Sequence, residues 1–345
     1  MRRVLVTGGA GFIGRVLVRD LLAEGRAVTV LDDLSTGAAD ALPDAARLIV
    51  GDVCDRRAVD AALQGADAVV HLAARLIVDE SFEQPDRYMA TNAGGTRVLL
   101  DGMAAAGCSR LIFSSTAAVY GDAGGAPITE DAPMRPASPY GESKLRADEV
   151  IASRAGNGLR AVSLRYFNVA GATGSLGEAR ERETHLIPIA LDVAAGARRV
   201  LHVFGTDYPT PDGTPIRDYV HVEDISRAHI AALEHMPMGH RIYNVGSGEG
   251  HSVFDVITCV ERVTGCPVPW ELRPRRRGDP AVLVASSQRL RAELGWRPAA
   301  SDLGRIVEDA WRWRRSSVAS AGARSADPIR RTDDPPPPRI IPAAD

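Results

Sequence analysis

Lysine is nearly missing from this 345-residue chain: of 41 basic residues, 40 are arginine and one, Lys144, is lysine. Cysteine is sparse as well. Cys54, Cys108, Cys259 and Cys266 form no CxxC and no His/Cys ligand spacing, which argues against a zinc site or a disulfide framework; no metal is expected, and the thiols are expected free in a reducing cytoplasmic setting. A net charge of −3 excludes broad electrostatic attraction to nucleic acid. No apolar run approaches the ~18 residues that suggest a membrane span, so no membrane partner is expected. The short run Val4-Leu5-Val6 before the first glycines reads as a first strand, not as the apolar region of a signal peptide. What is present is ordinary for a globular protein, with 45% hydrophobic and 25% charged residues, enough for one large core or two medium ones. A small-molecule partner is the expectation.

From Arg3 to about Val169, short β-branched runs alternate with Ala/Leu/Arg-rich stretches, the pattern of a parallel sheet covered by helices on both faces. The predicted strands are Arg3–Thr7, Ala27–Asp32, Arg47–Gly51, Ala68–Ala73, Arg110–Ser114 and Arg160–Tyr166. The predicted helices are Gly11–Glu24, Arg56–Gln64, Pro85–Ala106 and Tyr140–Arg154. This is an α/β, doubly wound (Rossmann) arrangement over residues 1–170. After Asn168 the rhythm becomes irregular, as expected of a smaller substrate-binding region, 171–315, partly interleaved with the first. Ser316 to Asp345 holds six prolines and little apolar content, and its composition predicts a disordered tail.

Thr7-Gly8-Gly9-Ala10-Gly11-Phe12-Ile13-Gly14 follows a strand and opens a helix. In that context Gly8 serves a tight turn, Gly11 admits a pyrophosphate to the backbone and helix N-terminus, and Gly14 lets helix pack on strand. The second strand ends at Asp32, where a dinucleotide fold needs a carboxylate for the adenosine ribose hydroxyls. That carboxylate also repels a 2′-phosphate, and Asp33 and Leu34 follow it with no arginine, so NAD is predicted over NADP. Asp52, at the end of the third strand, either edges the adenine or closes an ordinary turn.

The single lysine stands four residues after Tyr140, placing phenol and ammonium on one face of a helix opened by Ser138-Pro139. None of the other six tyrosines has a basic residue at that spacing. A compact ammonium can lie beside the phenol and still bond a ribose hydroxyl, which a larger, forked guanidinium does less well. Lowering a phenol from about 10 towards 7 takes about 4 kcal/mol, and one charge at about 4 Å supplies roughly that at an effective dielectric near 20. Tyr140 is the candidate proton-transfer group and Lys144 its partner. The strand through Leu111-Ile112-Phe113 delivers Ser114-Ser115-Thr116 to the sheet's carboxyl edge. Thr116 is the hydroxyl chosen to bond the reacting oxygen, a turn-capping hydroxyl being the alternative.

These residues resemble the extended short-chain dehydrogenase/reductase family, and within it the UDP-galactose (UDP-glucose) 4-epimerases, over about residues 1–315. Further runs carry the resemblance: His71-Leu72-Ala73-Ala74, Ser114 to Gly121, Ser138 to Lys144, Arg165-Tyr166-Phe167-Asn168, His185-Leu186-Ile187-Pro188, and above all Val203 to Val222. The resemblance implies a catalytic set of Thr116, Tyr140 and Lys144. It implies NAD contacts at Gly8, Gly11, Phe12, Ile13, Gly14, Asp32, Asp33, Asp52, Val53, Leu72, Ala73, Ala74, Asn92, Tyr140, Lys144 and Phe167. For a UDP-sugar it implies Thr116, Asn168, Leu186, Phe204, Arg217, Tyr219, Arg276 and Asp279, whose chemical types suit a diphosphate clamp, a base platform and ribose or uracil hydrogen bonds. Arg276 by itself, inside Arg275-Arg276-Arg277, would read as solvated. His185 stands where some members carry Asn, so the role falls to its neighbour's backbone. Leu283 occupies the position whose bulk bears on acceptance of an N-acetyl group, and leucine is intermediate.

The activity implied is interconversion at C4 of a UDP-hexose through a 4-keto sugar. The same fold and Tyr/Lys pair also serve nucleotide-sugar dehydratases and decarboxylases, but the dehydratases carry acidic residues just after the Ser/Thr, where this chain has Ala117 and Ala118. A non-catalytic NAD sensor would typically lose the Tyr/Lys pair. A homodimer is expected by analogy, built from the helices around Pro85–Ala106 and Tyr140–Arg154.

Overall fold

Strands β1 (Arg3–Thr7), β2 (Ala27–Asp32), β3 (Arg47–Val50), β4 (Ala68–His71), β5 (Arg110–Thr116) and β6 (Arg160–Tyr166) form where the β-branched runs predict them. A seventh strand, His240–Val245, joins them in one sheet ordered β3-β2-β1-β4-β5-β6 and then His240–Val245, with every neighbouring pair parallel. The computed structural model describes residues 1–325 apart from 126, 157 and 179–182.

The period-two alternation of the strands divides their side chains between two cores. Val4, Val6, Val30, Val70 and Ile112 pack under the helices Phe12–Ala23 and Val222–Glu234. Leu5, Leu31, Val69, Leu111 and Phe113 pack under Arg56–Ala62, Gly95–Ala105 and Pro139–Ala155. Each such side chain contributes about 1.5–3 kcal/mol on burial, so the sheet is anchored on both faces. The strand order reverses direction at β1, and the crevice beyond the carboxyl ends of β1 and β4 is where such a sheet receives a ligand.

The helix expected over Pro85–Ala106 is not uniform. An α-turn, Pro85–Tyr88, widens into a π-helical stretch, Met89–Gly94, before α-helix resumes at Gly95–Ala105.

Beyond β6, Asn168–Ala170 pairs with Ile216–His221, which also pairs with Val282–Leu283 and Gly250–His251. These strands lie over a third core built with the helices Leu186–Ala194 and Val253–Thr264. The last helix runs Leu303–Ser325, so the first ten residues of the segment expected as a disordered tail are helical. The reason is local: Ser316–Ser325 contains no proline and only one glycine, and an established helix propagates into it at little cost. Arg314 of this helix pairs with Asp192 at 2.5 Å. Residues 326–345 lie outside the described residues.

Candidate functional site

The glycine loop fits a phosphate for reasons the protein interior sets. Gly8 has φ +71°, and a Cβ there would lie 2.6 Å from the Ala73 nitrogen. A Cβ on Gly14 would meet the Gly8 carbonyl at 2.3 Å. At Gly11 the nearest atom would be 3.3 Å away, so packing alone does not demand glycine there. Gly11 caps the helix Phe12–Ala23 without a side-chain bond, and the first turn carries no acidic residue. The N-terminal amides around Phe12 and Ile13 are therefore available to an anion.

Asp32 closes β2 at 8% exposure, its Oδ2 accepting from Ala10 N and its Oδ1 from Leu34 N, each at 2.9 Å. Burial pushes its carboxyl above the usual range, against the pull of those two N–H groups. Each oxygen keeps a lone pair for a ribose hydroxyl. Leu34 adopts φ +58°, a strained conformation for a side-chain-bearing residue, so the turn after the carboxylate is held by its surroundings. Asp33 bonds Ser35, and Asp52 accepts from Cys54 N at 2.8 Å in an ordinary turn. Val53 is buried under Gly95.

Leu72-Ala73-Ala74 leaves β4 alongside the glycine loop, with Leu72 N donating to Thr7 O at 2.9 Å. Asn92, in the π-helical stretch, has its amide committed within the protein: Nδ2 donates to Arg75 O and Ser143 Oγ, and Oδ1 accepts from Arg75 N. It ties the loop after β4 to the helix of Tyr140. His71 lies buried between Thr7 Oγ1 (2.7 Å) and Thr96 Oγ1 (3.0 Å), and burial drives its pKa down to about 3.

Ser138 caps the helix Pro139–Ala155, accepting from Gly141 N at 3.2 Å, and Tyr140 falls in its first turn, edge-on to Tyr88. Lys144, one turn on, is 2% exposed, with Nζ 4.3 Å from the centroid of Phe113. Burial pulls its pKa down to about 7, opposed by Asp148. Burial also raises the phenols of Tyr88, Tyr120, Tyr166, Tyr208, Tyr219 and Tyr243, which removes them as bases near neutrality. Thr116 Oγ1 accepts from Ala118 N at 3.2 Å, so the turn-capping alternative holds, yet that bond uses a lone pair and leaves the hydroxyl proton to donate. Thr116 lies in register with Tyr166, whose hydroxyl is 2.5 Å from His229 Nε2. Phe167 follows, buried and anchored by its N–H to Val245 O.

The candidates for the substrate side sit on paired strands. Asn168 is in register with Tyr219, and Arg217 with Leu283. Between Arg217 and Tyr219, the buried Asp218 faces the opposite way and accepts from Ser247 N, Ser247 Oγ, Gly248 N and Ala285 N, fixing the strand that presents its neighbours. Arg217 pairs with Asp279, and the Arg276 guanidinium lies 4.1 Å from the Phe204 centroid. Leu186 is the first residue of its helix, and the ring of His185 is engaged with Glu178 at 2.8 Å. Leu283 packs half-buried against the cluster containing Tyr120 and Phe167.

Sequence reasoning missed Phe113, Asp218 and the Tyr166–His229 pair. The signal was there in part, since a charged or hydroxyl-bearing residue in the middle of a buried strand needs a partner.

Residues 4–246 match the NAD dependent epimerase/dehydratase family. The UDP-glucose 4-epimerase of Corynebacterium glutamicum is 52% identical over 313 residues, covering 90% of this chain and 94% of that protein. That of Streptomyces lividans is 47% identical, covering 91% and 96%. Among solved structures, the UDP-glucose 4-epimerase of Stenotrophomonas maltophila with bound NAD and formylated UDP-arabinopyranose superposes with a TM-score of 0.89 at 38% identity, covering 93% of this chain and 100% of that one. The Bifidobacterium longum enzyme in complex with NAD+ and UDP gives 0.88 at 35% identity, covering 92% and 99%. The chain belongs to the NAD dependent epimerase/dehydratase family.

Proposed function

We propose that the protein is a UDP-glucose 4-epimerase, interconverting UDP-galactose and UDP-glucose through a 4-keto sugar. The observation that carries this reading is that Tyr140 and Lys144 stand one turn apart on a helix whose first turn packs against Ala118, just after Thr116 at the carboxyl end of β5, with no carboxylate at Ala117 or Ala118. The loop amides from Gly8 to Gly14 and the Asp32 carboxylate fit NAD's pyrophosphate and adenosine ribose, and Lys144 its nicotinamide ribose. When bound there, NAD would supply the acceptor and donor of the C4 hydride, with none consumed over a full cycle.

Tyr140 as phenolate accepts the proton of the sugar's 4-hydroxyl and later returns it to that oxygen, as hydride comes back to either face of C4. Thr116 donates to the same oxygen, holding it in reach. Arg217 and Arg276 clamp the diphosphate, Phe204 covers the base, and Asn168, Tyr219, Asp279 and the Leu186 backbone orient the nucleotide. A departing 6-hydroxyl has no acid at Ala117 or Ala118 to protonate it, which disfavours dehydration.

Among the described residues no helix is long and apolar enough to cross a membrane. The reading includes a cytoplasmic homodimer through the helices of Met89–Ala105 and Pro139–Ala155. It is supported by an open groove of about 680 Å³ between them, lined by Met89, Ala93, Val150, Arg97 and Arg146.

The test is to supply UDP-galactose and follow the sugar protons by NMR. UDP-glucose forming to equilibrium without loss of NAD is expected. Accumulation of a deoxy-ketosugar or a pentose, or no interconversion by folded, NAD-loaded protein, overturns the reading.

A further inference from the structure

The helix that carries Tyr140 and Lys144 holds a second buried charge that the reaction above does not use. Asp148 follows Lys144 by four residues on the same helix face and is 4% exposed. Its Oδ2 accepts from Ser115 Oγ at 2.9 Å and from Arg165 Nη2 at 3.3 Å. Arg165, 1% exposed, donates from Nη1 to the Tyr120 hydroxyl at 2.9 Å, and that hydroxyl donates to Asn244 Oδ1 at 2.7 Å. The network crosses from the helix through β5 and β6 to the seventh strand.

This is a poor stabilising device. Among the described residues, Asp148 Oδ1 and Arg165 Nε are buried without a hydrogen-bond partner. A buried ion pair with unmet atoms is commonly no better than apolar packing of the same volume. A reason other than stability is needed for leaving a carboxylate oxygen bare at this place, and Lys144 supplies it. Lys144 has the Phe113 ring beneath it on β5, neutral His71 beside it on β4, Tyr140 one turn before it and Asp148 one turn after it. Asp148 is the carboxylate whose charge reaches it, opposing the burial that brings its pKa down to about 7. Beyond Asp148 the facing charged and titratable groups are Arg165 and His240.

We propose that Asp148 is a positioning residue for catalysis: from one helical turn below, and held by Ser115 and Arg165, it keeps Lys144 an ammonium in the place from which it acts on Tyr140. This rests on the reading of Tyr140 as the proton-transfer group. Without Asp148 the buried lysine loses its proton more readily, the phenolate loses its cation, and Tyr140 ionises only at higher pH.

Because Lys144 is the only lysine in the chain, isotope-labelled lysine gives one side-chain NMR signal, and its titration can be read in the NAD-loaded protein without any turnover. In Asp148→Asn the midpoint of that signal should fall by about one pH unit, with kcat at neutral pH down about tenfold, KM little changed and the acid limb of the rate profile moved upward. An unchanged midpoint in the folded variant overturns the proposal. Should the single variant fail to fold, Asp148→Asn with Arg165→Met removes both charges together. With Arg165→Met alone as the reference, a lower lysine midpoint in the double variant supports the role, and an equal one assigns Asp148 to the ion pair alone. A shifted midpoint in a protein whose parent does not epimerise UDP-hexoses would sink the functional reading and leave the electrostatic link between Asp148 and Lys144 standing.

Discussion

The Lys144 ammonium rests 4.3 Å above the centre of the Phe113 ring, at the point where β5 turns from core into site. Phe113 itself is fully packed in the core under the helix Pro139–Ala155. One aromatic residue thus supports the helix and offers its negative face to the cation that helix carries. A desolvated cation–π contact is worth about 0.5–2 kcal/mol. Phe113→Leu keeps an apolar group and removes the π face, so kcat should fall about twofold to thirtyfold while NAD content stays the same. Parental kcat in a folded, NAD-loaded variant would reduce Phe113 to packing.

Asp32 is held by the amides of Ala10 and Leu34, so its carboxylate is rigid before any ligand arrives. Asp32→Ala removes the acceptor for the adenosine ribose and the charge that repels a 2′-phosphate. The variant should purify with less NAD and discriminate less against NADP. Parental NAD retention, measured by the cofactor released on denaturation, would place the ribose elsewhere.

The buried histidines make stability depend on pH. Burial lowers His71 to about 3 and His229 to about 4, below their unfolded value near 6.5. Between those limits the unfolded chain binds more protons than the native one, so stability rises with pH there and is lost as pH falls from 6.5. Each histidine should cost about 1.4 kcal/mol per pH unit in that window. Denaturant melts at pH 6.5 and pH 5.5 measure it, and a flat response would mean that these rings reach water.

Much of this could be read from the residues because β1, β2 and β4 are short, largely buried runs rich in valine, with glycines after the first and an acidic residue at the end of the second. The seventh strand was not legible. His240-Arg241-Ile242-Tyr243-Asn244-Val245 mixes polar and apolar residues, and Asn244 makes sense only once Tyr120 and Ile128 are beside it. Nothing in the sequence pairs Asp148 with Arg165; the pairing needs β6 to lie inside the sheet, between β5 and that seventh strand. The π-helical stretch at Met89–Gly94 leaves no mark on composition, yet it lies where Asn92 reaches Arg75 and Ser143. Lys144, by contrast, stood out because arginine fills every other basic position.

The two halves of the site should separate in kinetics. Tyr140 acts, on the proposed reading, only as the proton moves, so Tyr140→Phe should lower kcat by about a hundredfold or more while NAD content and KM change little. Burial holds the neighbouring phenol of Tyr166 protonated against His229, so it cannot substitute. Arg276 contacts no reacting atom on that reading, and it touches the nucleotide equally before and during the chemistry. Its guanidinium covers the face of Phe204 in this structure, so a base that stacks there must displace it, leaving it to reach the diphosphate. Arg276→Ala frees the ring and removes the charge. The loss of a charge-assisted contact, about 1.5–3 kcal/mol, should raise KM about tenfold to a hundredfold with kcat nearly unchanged. Steady-state assays of the two variants decide it. A fall in kcat from Arg276→Ala, or a rise in KM alone from Tyr140→Phe, would mean that the roles are reversed or shared.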